Sequence, residues 1–356
     1  MAKIPVKIPV PQLKAGAELA HDVMTKRNNV LFIKGRVISD KDLEVLKAFL
    51  IPAVEVADQD EVHAPMPSEA RDGGGFPSFE ASYHQMLQLV KRVFAIADAG
   101  GEALPVLDIR KGLEELVSHS DSYNALHFSP KHFQMSDFVY HNSLMVSLTS
   151  YCMARWIGLA SKDLLPVALA GLLHDIGNAK MDPAILFKPD RLSDEEKEAL
   201  KKHTVIGYQM LKPVTALTEG VKLAALQHHE REDGSGYPLG VRGDKIHLYS
   251  KIVAVADMFH AMTTSRFHKS GTSPYLALEQ LQAEAFGKLD PHLVSTFIER
   301  VTQFHNGTIV KLSDNRIGEI VFSDRSYPTR PWVNVSGGIV NLNVERNLYI
   351  QEVIQK

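Results

Sequence analysis

Apolar positions recur at intervals of three and four along "YHQMLQLVKRVFAIA" and "KDLLPVALAGLLHDIG", which gathers them on one stripe of an α-helix. The pattern runs from about Phe79 to His305 and predicts a mainly helical domain. Inside it, "LSDEEKEALKKH" places Ser193 three residues before Glu196, a capping box that signals a helix start and puts His203 at that helix's end. On either side the periodicity shortens. Residues 6–57 read as a small α/β module, with an extended segment around "NNVLFIKG", a helix "DKDLEVLKAFL" capped by Ser39, and a strand at "PAVEVA". After His305, "GTIVKLSDNRIGEIVF", "PWVNV", "GGIVNL" and "LYIQEVI" are β-prone runs broken by Gly, Asn, Asp and Pro. Between Val62 and Ser78 three prolines and three consecutive glycines interrupt both periods and predict a linker. The predicted division is therefore an N-terminal α/β module over 1–62, a linker over 63–78, a helical domain over 79–305 and a C-terminal β module over 306–356.

Composition changes this picture little. A chain of 356 residues with 45% hydrophobic and 23% charged residues has ample material for a packed core. Its formal charge of -3 gives no overall attraction to duplex nucleic acid or an anionic membrane, so an anionic partner must be met locally. A single cysteine, Cys152, cannot form an internal disulfide and is expected as a core thiol. The N-terminus lacks the apolar run of a signal peptide and no window suits a membrane span, so a cytoplasmic location is expected.

Candidate chemistry resides in the histidines. Most of the 16 need only a surface position or a local hydrogen bond. Five are set differently: His141 opens "HNSLMVSLTSYCMARWIG", His174 stands beside Asp175 after an apolar run, His203 follows the capped helix, and His228 and His229 are adjacent. Asp257 lies in the helical "KIVAVADMFHAM". One such pair is no more than a satisfied core histidine beside a carboxylate. All of them in order on one helical domain point to metal binding, with imidazole and carboxylate donors that suit iron, manganese, zinc or nickel. Five histidines and two aspartates exceed the needs of one tetrahedral ion and point to two or more.

In these residues the sequence resembles the HD-GYP subgroup of the HD-domain phosphohydrolases. "HNSLMVSL", "LLHDIGN", "LKKHTVIGYQML", "LQHHEREDGSGYPLG" and "VAVADMFHAMTTSRFHK" match that family's motifs in order and spacing over roughly residues 135–290. The resemblance implies an HD-type helical bundle and makes His141, His174, Asp175, His203, His228, His229 and Asp257 metal ligands, with Asp175 bridging two ions and His174 and Asp175 central to catalysis. Some members hold a third metal through a glutamate four residues before the first histidine. Asp137 stands there, with an ordinary helix N-cap as its alternative role. The implied activity is hydrolysis of cyclic di-GMP to pGpG, and in some members to GMP, by hydroxide activated at two or three iron or manganese ions.

Around the ligands, Gly234, Gly236 and Pro238 suit a tight turn that presents Tyr237 to guanine or phosphate. Arg266 and Lys269 follow Asp257 where the family has basic substrate-contacting residues. The departure is Asn178, where the family has lysine: the amide keeps a donor and loses the charge. Lys180 would point about 200° away if the helix continued, but could stand in if Gly177 ends it. Asn178 therefore keeps a second reading open, a cyclic di-GMP-binding sensor with little or no turnover. A hybrid cyclic dinucleotide as substrate, a homodimer, and a diguanylate cyclase or other signalling protein as partner are also left open.

Overall fold

A computed structural model describes residues 5–25, 30–57, 78–100, 103–128, 130, 133–265, 271–303 and 307–355. In chain order the elements begin with β1 (Val6–Pro9), β2 (Val23–Met24), β3 (Val30–Phe32), α1 (Asp40–Ala48) and β4 (Ala53–Val56). Helices follow: α2 (Phe79–Ala99), α3 (Val106–Ser118), α4 (Phe138–Trp156), α5 (Ser161–Leu173), α6 (Pro183–Leu186), α7 (Asp194–Lys201), α8 (His203–Leu211), α9 (Glu219–Gln227), α10 (Leu248–Thr263), α11 (Pro274–Glu284) and α12 (Pro291–Val301). Strands β5 (Ile309–Leu312), β6 (Ile317–Phe322), β7 (Trp332–Val335), β8 (Gly338–Asn341) and β9 (Ile350–Gln355) close the chain. The mainly helical class expected from the periodicity, with small terminal elements, is what forms.

The chain divides into two compact units, Phe76–Thr302 and a second made of Met1–Gly75 together with Gln303–Lys356. The two ends, which the periodicity alone presents as separate modules, thus build one body. Its antiparallel sheet runs β8-β7-β6-β5-β9, beside smaller pairs β1-β4 and β2-β3. Ile309, Ile317 and Ile354 from the C-terminal strands pack against Leu31, Phe32, Val45 and Leu46 from the N-terminal segment, and Lys41 pairs with Glu352 at 2.8 Å. Ser39 caps α1 as expected, in a reciprocal box with buried Asp42. Burial alone would raise the Asp42 carboxyl, but the Arg36 guanidinium 2.8 Å away holds it below its usual value. The linker expected over 63–78 lies outside the described residues except for Ser78, which caps α2 by accepting from the Ala81 N–H.

In the helical unit α4 is buried around most of its circumference, which is why its polar positions are small: Ser143, Ser147, Thr149 and Ser150. Ser147 donates to the Ala168 carbonyl of α5 at 2.7 Å. A Cβ on Gly171 would fall 2.8 Å from the Ser147 Cα, so glycine sets how closely α5 approaches α4. Cys152 is in this core, and burial pushes its thiol up to about 12. Among the described residues no helix is long and apolar enough to cross a membrane.

Helix ends differ from the sequence-based expectation at two of the ligand positions. The capping box of Ser193 and Glu196 starts α7 as predicted, but α7 stops at Lys201 and His203 begins α8, where its Nδ1 faces the Leu200 carbonyl at 2.7 Å. His141 lies in the first turn of α4, three residues after its start.

Candidate metal centre

Each candidate ligand sits at or near a helix end, or on a buried helix face, and the ring nitrogens are oriented by main chain. His174 follows the last residue of α5, and its Nδ1 lies 2.8 Å from the Gly171 carbonyl. His228 follows α9, with Nδ1 2.9 Å from the Ala224 carbonyl. His203 repeats the arrangement on Leu200. A carbonyl can only accept, so Nδ1 carries a proton in all three rings and Nε2 is turned inward.

These nitrogens converge on two carboxylates. Asp175 Oδ1 lies 3.2 Å from His203 Nε2 and 3.6 Å from His228 Nε2, while Asp175 Oδ2 lies 3.4 Å from His174 Nε2. Asp257 Oδ1 is 3.5 Å from His174 Nε2 and accepts from Asn142 Nδ2 at 3.1 Å. Among the described residues, donor atoms within 4.8 Å of one another fall into two groups, Asp175 with His203, His228 and His229, and His174 with Asp175 and Asp257. Asp175 belongs to both.

The charges fit a cation. Burial alone would raise the Asp175 carboxyl, but His174, His203 and His228 hold it well below its usual value. Asp257 is likewise held down, chiefly by His174, against burial. Burial works against protonating His174 and His203, yet Asp175 outweighs it and raises both imidazoles. Burial lowers His228, and lowers His229 further with His228 beside it. His174 Nε2 is fully buried and makes no hydrogen bond of good geometry. A neutral Nε2 there would set its lone pair against those of two carboxylates, an arrangement that a divalent ion between them makes favourable. The donor set therefore fits two metal ions sharing Asp175.

His141 falls outside both groups. It is buried on α4, its Nδ1 lies 3.0 Å from the Tyr83 hydroxyl, and burial pushes its imidazole down to about 4. Asp137 occupies the N-cap position of α4 without making a cap bond, and its carboxylate pairs with Lys91 Nζ at 2.6 Å.

The Gly-Tyr-Pro loop is held from below by Glu230, a buried carboxylate that accepts from the Leu239 N–H at 2.7 Å and the Val241 N–H at 3.1 Å. Gly234 has a φ of 82° and makes the turn. Gly236 is required for a different reason: a Cβ there would lie 2.4 Å from the Glu230 Cα and the Arg231 nitrogen. The peptide between Tyr237 and Pro238 is cis. The result lays the Tyr237 ring along His229, centroids 4.7 Å apart and 27° from parallel.

Asp175, His203, His229 and Asp257 form the floor of a cavity of about 410 Å³. Tyr237 and Asn178 line it, as do Phe138, Leu186 and Leu200. The Asn178 side-chain oxygen is buried without a hydrogen-bond partner. Lys180 is no substitute for a cation there: the short helix Ile176–Lys180 carries it to α2, where its ammonium bonds the Asp98 carbonyl and lies 3.8 Å from the Asp98 carboxylate. Gly177 does not end α5 in the left-handed conformation. α5 ends at Leu173, and Gly177 serves close packing, since a Cβ would fall 2.0 Å from the His203 carbonyl oxygen. Arg266 and Lys269 lie outside the described residues.

Sequence reasoning passed over Lys197 and Lys201, which also line the cavity, and Asn142 and Tyr83, which touch Asp257 and His141. Asn142 carried a signal in its adjacency to His141. The lysines carried one in their four-residue spacing just ahead of His203.

Helices that converge imidazoles and carboxylates from separate segments around one shared aspartate define a helical domain whose site could hold divalent metal. Residues 123–293 match the family described as HD domain. The chain is 33% identical over 185 residues to cyclic di-GMP phosphodiesterase PA4108 of Pseudomonas aeruginosa, a match covering 52% of this chain and 44% of that one. It is also 33% identical over 157 residues to 3'3'-cGAMP-specific phosphodiesterase 2 of Vibrio cholerae, covering 43% of this chain and 30% of that one. It thus spans less than half the length of either relative. The solved structure of Bd1817, an HDG"Y"P protein from Bdellovibrio bacteriovorus, superposes with a TM-score of 0.51 at 16% identity, over 83% of this chain and 98% of that one, and shares the fold. The resemblance to the HD-GYP subgroup holds.

Proposed function

We propose that the protein is a metal-dependent phosphodiesterase that hydrolyses cyclic di-GMP to pGpG, and in a further step to GMP. The observation that carries this reading is the position of Asp175 in both donor groups, on the floor of the cavity that Tyr237 overlooks. His203, His228 and His229 would hold one ion and His174 and Asp257 the other, with Asp175 between them. His141 and Asp137 are the candidates for a third ion, with Asp137 giving up Lys91 to serve. Iron and manganese suit this set of imidazoles and carboxylates without thiolates. Two such ions held by these residues would supply Lewis-acid stabilisation of the phosphodiester and an activated water near neutral pH.

The rest belongs to the chain. Carbonyl-fixed Nδ1 protons keep the three rings from turning, so the donors need no reorganisation when substrate enters. Apolar Phe138, Leu186 and Leu200 exclude water from one wall and offer surface to a nucleobase. Tyr237, stacked on His229, presents a second flat face for a base, and Gly236 and Pro238 fix its place. Asn178 donates an amide hydrogen to a phosphate oxygen, while Arg266 and Lys269 remain the proposed basic contacts to phosphate and guanine.

Similarity to relatives named for both cyclic di-GMP and 3'3'-cGAMP sets the test. Protein loaded anaerobically with iron or manganese, given each nucleotide side by side, is expected to release pGpG from cyclic di-GMP faster than it opens the hybrid. Preference for the hybrid would change the substrate, and tight binding without product under either metal would favour the sensor reading that Asn178 keeps open.

A further inference from the structure

A cyclic dinucleotide carries two phosphodiesters, and only one can react at a time. The other stays in the cavity as an anion, in a space walled largely by apolar side chains, where an unpaired charge is costly. The family's lysine position is the neutral Asn178, and Lys180 is tied to Asp98. Among the described residues that line this cavity, the permanent cations are Lys197 and Lys201. They lie one turn apart on α7, the spacing that places two side chains on one helix face. Lys201 Nζ stands 5.3 Å from the centroid of the Tyr237 ring, which is itself stacked on His229.

The present partners of both lysines are weak competitors. Lys201 pairs with Glu198 at 2.5 Å and Lys197 with Asp194 at 2.8 Å. The two carboxylates are 69% and 93% exposed, so water and salt screen both pairs. A long flexible ammonium can leave such a partner for a phosphate with little loss.

We propose that Lys201, assisted by Lys197, is a substrate-binding residue that holds the non-reacting phosphodiester of the cyclic dinucleotide, supplying from α7 the charge missing at Asn178. This rests on the cyclic dinucleotide reading above and adds to it a residue and a task. Lys201 then acts on substrate grip more than on the bond-breaking step.

The test is equilibrium binding of the bis-phosphorothioate analogue of cyclic di-GMP to the full-length, metal-loaded protein, with steady-state kinetics on cyclic di-GMP alongside. Lys201→Met is expected to raise Kd and KM on the order of ten-fold, the loss of one charge-assisted contact, while kcat changes less than about three-fold. Lys201→Arg should restore most of the affinity, and Lys202→Met, the same charge change on an exposed neighbour outside the cavity, should leave Kd unchanged. Wild-type protein that binds the analogue with a Kd unaltered by Lys201→Met would overturn the assignment alone. Wild-type protein that binds neither the analogue nor cyclic di-GMP would overturn the cyclic dinucleotide reading beneath it.

Discussion

Asp175→Asn is expected to release metal from the protein and to reduce cyclic di-GMP turnover by more than about 100-fold, while helical content stays at the wild-type level. Changing a residue that merely orients a ligand typically costs about 10- to 100-fold in metal affinity or activity. Asp175 is a donor in both groups, so its loss strikes two sites at once. Asparagine has nearly the same shape and keeps one carbonyl oxygen, which protects the fold. It removes the negative charge that raises His174 and His203 and that a cation needs. Metal content by mass spectrometry after desalting checks the first half and product analysis the second. A variant that retains its full complement of metal would remove Asp175 from the centre.

Gly177→Ala should damage the same site without altering any ligand. A Cβ at this position would fall 2.0 Å from the His203 carbonyl oxygen and 2.7 Å from the Gly207 nitrogen, both main-chain atoms. No side-chain rotation can relieve that contact. The short helix Ile176–Lys180 and α8 must separate, and α8 carries His203 away from Asp175. Overpacking typically costs about 1–3 kcal/mol, and a backbone clash of this closeness belongs at or beyond the upper end. The expected outcome is a destabilisation of about 3 kcal/mol together with weakened metal binding, read by denaturant unfolding and metal retention. Wild-type stability in this variant would mean that the two segments are not in van der Waals contact.

The convergence of His174, Asp175, His203, His228, His229 and Asp257 was legible because chemistry constrains residue type tightly: imidazoles and carboxylates paired at successive helix ends suit a metal site. Their grouping was not, since only folding shows that Asp175 is shared and that His141 stands apart, against Tyr83. Helix ends were read less well. The periodicity through "ALKKHTVIG" is continuous, so nothing local says that α7 stops at Lys201 and α8 starts at His203. Lys197 and Lys201 drew no reading from the sequence, because a charge on a short helix acquires meaning only from the cavity it borders. The joining of the chain ends through Ile309, Ile317 and Ile354 was invisible for a related reason: side-chain packing between segments far apart in the chain leaves no periodic trace. A helix stop at Gly177 and a helix continuing through it both stay open in the sequence, and its close approach to His203 depends on a segment 26 residues further on.

The most direct measurement is an anaerobic titration of metal-stripped protein with manganese, following bound ion and pGpG release on the same samples. Turnover is expected to appear as the second ion binds and to level off only when at least two ions per chain are held. Saturation at one ion per chain, or full occupancy with no pGpG formed, would contradict a shared two-metal phosphodiesterase site at Asp175.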